Sequence, residues 1–281
     1  MSAKTRSEIK MHKDQASGLR RLMAGPSPRI LSLLSATTML DQARLLENLA
    51  ASLQHQGSHA LILDATQQSL HHNVYDDISP EQGTLLEAVM QPNNTMSLIN
   101  ISGHGYSVAK LLPGKSASRF LNHADIMLQV QQQFKNMASE HDVVLVDAAL
   151  NGQDTMPLDM LNNGEILIHM TRDANSITQA YSLIKQLSQQ IGRRSFGIVV
   201  SQANEAQAQL LFQNIAEVAR NYLYIQLDFM GLIPTDEHLG RAAKLGRSVV
   251  DAFPMAKASA AFKNLAGKID HNHGLLAATF S

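Results

Sequence analysis

The sequence predicts an α/β fold: a doubly wound, mostly parallel sheet with helices on both faces. Three observations predict it. Apolar runs of strand length alternate along the chain with amphipathic stretches of helix length. The strand runs are apolar throughout instead of alternating, as strands buried on both faces are. The chain of 281 residues, 44% of them hydrophobic, shows no internal repeat and no second core. Positive side chains (23) nearly balance negative ones (24), so no global field recruits nucleic acid or an anionic membrane, and membrane contact is expected to be peripheral at most. The absence of cysteine removes disulfides, thiolate metal sites and cysteine nucleophiles, and fits a reducing compartment. No apolar run approaches the ~20 residues that span a bilayer, and the N-terminus carries no apolar signal core. A soluble, cytoplasmic protein is expected.

Residues 1–25 stand apart. Lys4, Arg6, Lys10, Lys13, Arg20 and Arg21 face only Glu8 and Asp14, and so polar a segment reads as a flexible arm. Gly25-Pro26-Ser27-Pro28 marks its end. Residues 26–270 form the α/β domain and 271–281 a polar tail. Strands are expected at Arg29–Ser35, Ala60–Asp64, Met96–Ile101, Ser107–Leu112, Val143–Asp147, Glu165–Met170, Phe196–Val200 and Phe229–Ile233. Helices are expected at Met39–Gln54, Ala117–Ala138, Ser176–Ile191, Glu205–Tyr222 and Ala256–Lys268.

In such a sheet ligands bind at the carboxyl ends of the strands. Two strands end there in aspartate. Asp64 closes the second, and Val143-Val144-Leu145-Val146-Asp147 has the form of a Walker B strand, whose carboxylate holds Mg²⁺ directly or through water. The alternative is a carboxylate that caps its own turn. Pro113-Gly114-Lys115-Ser116 imitates a phosphate loop, but Ala109 stands where its first glycine belongs. The pairs His71-His72 and His271-Asn272-His273 lack helical metal-ligand spacing, so no metal is expected there.

Four further segments carry a resemblance. Asp14-Gln15-Ala16-Ser17-Gly18-Leu19-Arg20 in the arm, Ser176-Ile177-Thr178-Gln179-Ala180-Tyr181-Ser182-Leu183-Ile184-Lys185, Gly231-Leu232-Ile233-Pro234-Thr235-Asp236, and Val249-Val250-Asp251-Ala252-Phe253-Pro254 followed by Ala261-Phe262 occur in one order. Together they resemble the MinD/ParA-type P-loop ATPases, and the Asp-Gln-Ala-x-x-Leu-Arg arm resembles their flagellar-number regulators, the FlhG/FleN branch. The phosphate loop departs from that pattern. Between Ser35 and Arg44 the family's Gly-Lys-Gly-Gly-Val-Gly-Lys-Thr is replaced by Ala36-Thr37-Thr38-Met39-Leu40-Asp41-Gln42-Ala43. Every glycine that would let backbone N–H groups face phosphate is gone. Gln42 stands at the phosphate-binding lysine, Thr37 at the lysine that reaches a partner's nucleotide, Ala43 at the Mg²⁺-binding hydroxyl, and Asp41 adds negative charge.

The switch segment Ala148-Ala149-Leu150-Asn151-Gly152 lacks the family's Asp-Thr start, Thr66 replaces a second Asp, and Ser201-Gln202 occupies the place of an adenine-contacting Asn. The expectation is therefore a non-catalytic pseudo-ATPase without cofactor, with Asp64 and Asp147 as vestigial Mg²⁺ and switch positions. ATP and Mg²⁺ belong to the alternative, an ATPase with an unconventional loop. The resemblance implies that Asp14, Gln15, Ala16, Leu19 and Arg20 dock onto FlhF, a signal-recognition-type GTPase, and that Gln15 promotes GTP hydrolysis. It also implies contact with a flagellar transcription activator, and a place at the cell pole or the inner face of the membrane.

Overall fold

The computed structural model describes residues 27–66, 82–91, 93, 96–114, 117, 120, 123–151 and 153–279, with 271–279 as backbone. The arm motif around Gln15 and the pair His71-His72 lie outside the described residues. An eight-stranded sheet has the order β3-β4-β2-β5-β1-β6-β7-β8. Its strands are β1 Arg29–Ser35, β2 Ala60–Ala65, β3 Ile99–Ile101, β4 Ser107–Lys110, β5 Val143–Ala148, β6 Glu165–Thr171, β7 Phe196–Ala203 and β8 Leu227–Pro234. All adjacent pairs are parallel except β3–β4.

The helices are α1 Met39–His55, α2 Leu85–Met90, α3 Ala124–Ala138, α4 Ala174–Ile191, α5 Glu205–Val218, α6 Glu237–Lys244, α7 Val249–Ala252 and α8 Lys257–Thr279. Strand side chains alternate between two cores. Leu31 and Leu33 of β1 and Val143 and Leu145 of β5 pack with Leu46, Leu49 and Leu53 of α1 and Phe262, Leu265 and Ile269 of α8. Leu34, Val144 and Val146 face the other way, toward Val130 and Phe134 of α3 and Ile184 and Leu187 of α4. The apolar stripe of the last helix thus serves the core.

Several element bounds differ from expectation. The third strand shortens to Ile99–Ile101. The helix expected from Ala117 begins at Ala124, where Asp125 complements the positive end of its dipole. α5 stops at Val218 and widens into a π-turn over Ala219–Leu223, closed by Tyr224 at φ 58°. The helical backbone of α8 runs on to Thr279, through the segment expected as a tail. One residue that sequence periodicity missed is diagnostic of the packing. A Cβ added to Gly197 on β7 would lie 2.3 Å from Leu167 Cδ2 and 2.7 Å from Met230 Cγ. Gly197→Ala is therefore expected to destabilise the fold by about 1–3 kcal/mol through overpacking, measurable by urea unfolding.

Candidate functional site: a closed crevice at the end of β1

β1 lies between β5 and β6, and the chain leaves it in opposite directions across the sheet, so its carboxyl end is the topological switch point. Strand register sets a row of polar groups there. Asp64 pairs in register with Lys110 on one side and Asp147 on the other, while β6 and β7 bring His169 and Ser201 to the same edge.

The loop between β1 and α1 is folded onto itself. The Thr37 N–H donates to Ser35 Oγ at 3.0 Å, and the Ala36 N–H donates to the His169 carbonyl at 2.8 Å. Thr38 caps α1: its Oγ accepts from the Asp41 N–H at 3.1 Å, and its hydroxyl donates to Asp41 Oδ2 at 2.7 Å. The Gln42 N–H is already within the helix, bonded to the Thr38 carbonyl at 3.1 Å. No residue of this loop has positive φ, so the backbone makes no concave nest of the kind that cradles phosphate. The helix N-terminus instead holds the Asp41 carboxylate of its own chain, which its dipole stabilises.

Gln42 turns inward. The residue is buried, and its Nε2 donates to the Leu33 carbonyl and to Asp147 Oδ1, each at 3.3 Å. Because two oxygens receive its amide, Oε1 faces His169 Nδ1 at 2.9 Å, and that nitrogen must carry the proton. Burial pushes the His169 imidazole down to about 4, against a smaller opposing effect of the Asp41 charge. The ring is neutral at pH 7, so its Nε2 lone pair accepts from the Ser201 hydroxyl at 2.7 Å. Ser201, His169, Gln42 and Asp147 form one buried chain with its proton positions fixed. Ala43 is buried against the α1 core and offers no hydroxyl.

Asp64 caps its own turn, its Oδ1 accepting from the Thr66 N–H at 2.9 Å and the Thr66 hydroxyl at 2.6 Å. Its Oδ2 lies 3.5 Å from Lys110 Nζ, an ion pair whose ammonium makes no hydrogen bond among the described residues. The segment after Asp147 is likewise self-contained: Asn151 Oδ1 accepts from the Gln153 and Thr155 N–H groups at 2.9 and 3.1 Å. Gln202 holds a left-handed conformation, φ 58°, where the β7–β8 register skips it.

The structure places Thr37, Asp41, Gln42, Asp64 and Asp147 at this one end of the sheet. It adds His169 and Lys110, which sequence reading passed over, and joins Ser201 to His169. Each is one polar residue at the end of an apolar run, and only register reveals that they meet.

No family model matches the chain. Antiactivator FleN of Pseudomonas aeruginosa is 29% identical over 226 residues, 79% of each chain. Among solved structures, the septum site-determining protein MinD of Pyrococcus horikoshii in complex with Mg-ADP superposes with a TM-score of 0.62 at 18% identity, over 88% of this chain and 98% of that one. MinD in the MinC:MinD complex of Aquifex aeolicus gives 0.62 at 17% identity, over 86% and 96%. At these identities the structural likeness establishes the fold.

Proposed function

We propose, from the premise that the chain is a MinD/ParA-type protein of the FlhG/FleN branch, that it regulates flagellar number through protein contacts without an ATP cycle. One observation carries this reading: the crevice that would hold polyphosphate is filled by the Gln42–Asp147 and Gln42–His169 hydrogen bonds. A phosphate entering beside α1 would meet the Asp41 carboxylate, Gln42 in place of a lysine, and N–H groups already spent on Ser35 and Thr38. A lost charge-assisted hydrogen bond costs about 1–3 kcal/mol, and several are missing together.

Two contacts follow from the branch. The relative's name, antiactivator, supports a transcription activator as one partner. The arm motif Asp14-Gln15-Ala16, with Leu19 and Arg20, supports FlhF as the other, with Gln15 orienting the water that attacks GTP as glutamines do in other GTPases. The test is GTP turnover by the cognate GTPase with and without this chain. Stimulation is expected, and Gln15→Ala should leave docking intact while abolishing it. Full stimulation by Gln15→Ala would sink the mechanism.

The carboxylates Asp64 and Asp147 at two adjacent strand ends favour the second reading, an ATPase with an unconventional loop. It requires heat on titration with Mg-ATP and nucleotide-dependent dimerisation. Neither is expected at millimolar ATP.

A further inference from the structure

Three charged side chains stand in one row at the carboxyl ends of β4, β2 and β5. Register sets Lys110 beside Asp64, and Asp64 beside Asp147. The alternation that turns Val108, Ile62 and Leu145 into the core under α1 turns these three residues the same way, two positions further along each strand. All three are buried, Lys110 most deeply at 2% exposure. Lysine is almost never buried so fully unless it is paired, and here its partner is Asp64 Oδ2, 3.5 Å from Nζ.

The family resemblance implies Mg²⁺ at this end of the sheet, and the donor set does not fit it. Mg²⁺ demands an octahedron of oxygens, supplied by carboxylates, retained waters and phosphate. Asp64 Oδ1 already accepts from the Thr66 N–H and hydroxyl, and Oδ2 faces the ammonium. Asp147 Oδ1 accepts from Gln42 Nε2 at 3.3 Å. Ala43 is buried and has no side-chain oxygen to give. A dication between the two carboxylates would also be repelled by the ammonium that stands against one of them.

We propose that Lys110 is the resident cation of this site: its ammonium takes the place of a divalent metal ion, and the carboxylates of β2 and β5 keep their positions without metal or nucleotide. This role for Lys110 rests on the reading of a chain without an ATP cycle, and deepens it. The ammonium makes no hydrogen bond among the described residues, so the charge of Asp64 is what holds it. A buried charge is costly unless an opposite charge compensates it, and here each of the pair compensates the other. Asp64 and Asp147 bring two negative charges to adjacent strands; Lys110 offsets one, and the Gln42 amide donates to the other. With the ammonium removed, two neighbouring carboxylates remain in a buried row, a setting that attracts a cation.

The experiment follows Mn²⁺ binding to the full chain without nucleotide, by loss of the free-ion paramagnetic resonance signal, together with melting midpoints in EDTA and in Mn²⁺. Up to about 1 mM the parent chain is expected to bind no Mn²⁺ that Asp147→Asn releases, and its melting should not respond to the ion. Lys110→Ala removes the ammonium and leaves room for a hydrated ion. That variant is expected to bind Mn²⁺ at least about tenfold more tightly than the parent, and to melt higher with Mn²⁺ than without it. Adding Asp64→Asn should cancel both effects, because the amide oxygen keeps the Thr66 cap but carries no charge. Mn²⁺ bound by the parent and released by Asp147→Asn would overturn the proposal, and so would a folded Lys110→Ala chain that binds none. If Lys110→Ala folds in neither condition, Lys110→Met, which keeps most of the stem, is compared with its Asp64→Asn double variant. A higher melting point for the double variant supports charge compensation, and an equal or lower one overturns it. Metal binding by the parent without heat from Mg-ATP would defeat this role for Lys110 alone, whereas heat from Mg-ATP would defeat the wider reading.

Discussion

Gln42→Leu is expected to lower the free energy of unfolding by about 2–4 kcal/mol, in a chain position where a lysine would be the signature of catalysis. Leucine keeps most of the volume, so the cavity penalty is small. The loss comes from hydrogen bonding: His169 Nδ1 loses its acceptor, and the Leu33 carbonyl and Asp147 lose a donor. A buried polar group left unsatisfied costs about 1–3 kcal/mol. Tautomer exchange at His169 offers no escape, because it would replace a stranded N–H by a stranded lone pair. Urea denaturation measures the effect, and Leu40→Gln is the control. Leu40 is two residues away but 51% exposed, so that change should stay within about 0.5 kcal/mol. Equal effects from the two substitutions would mean that the buried chain contributes nothing to stability.

The strands and the polarity of the crevice were legible because they depend on local pattern. Val143–Asp147 reads as a buried strand ending in a carboxylate whatever surrounds it, and register then placed Asp147 opposite Asp64. The Gln42 substitution was legible as a missing lysine. Its inward turn was not, because that depends on His169, 127 residues away in sequence. His169 is the fifth residue of a strand whose other inner residues are all apolar, and nothing local marks it as a partner. The short helix α2 carried a readable sign, Thr84 with Glu87 three residues on, which the structure realises as a capping box. Helix ends set by tertiary packing, such as the start of α3 and the π-turn after α5, had no such sign.

His169 also ties the closed crevice to pH. Its imidazole sits at about 4 in the folded chain against an ordinary value of 6.5, so the folded state disfavours the proton. Above about pH 6.5 the ring is neutral in both states and its contribution is complete. As pH falls from 6.5 to 4 the unfolded chain takes up the proton first, and stability declines with it. A depression of this size corresponds to about 3 kcal/mol over that interval. The carboxylates act lower: Asp236 and Asp251 are held below their ordinary value of 3.8, so they protonate in the folded state only beneath this window. His169→Gln separates the two effects. A glutamine there can still donate toward Gln42 and accept from Ser201, but it cannot titrate. The variant is expected to lose about 1–2 kcal/mol at pH 7.5 from imperfect packing and then to show a flat stability profile down to pH 4.5, where the parent chain declines. Urea midpoints at several pH values decide it. A variant profile as steep as the parent's would assign the acid loss to groups other than the imidazole that closes the crevice.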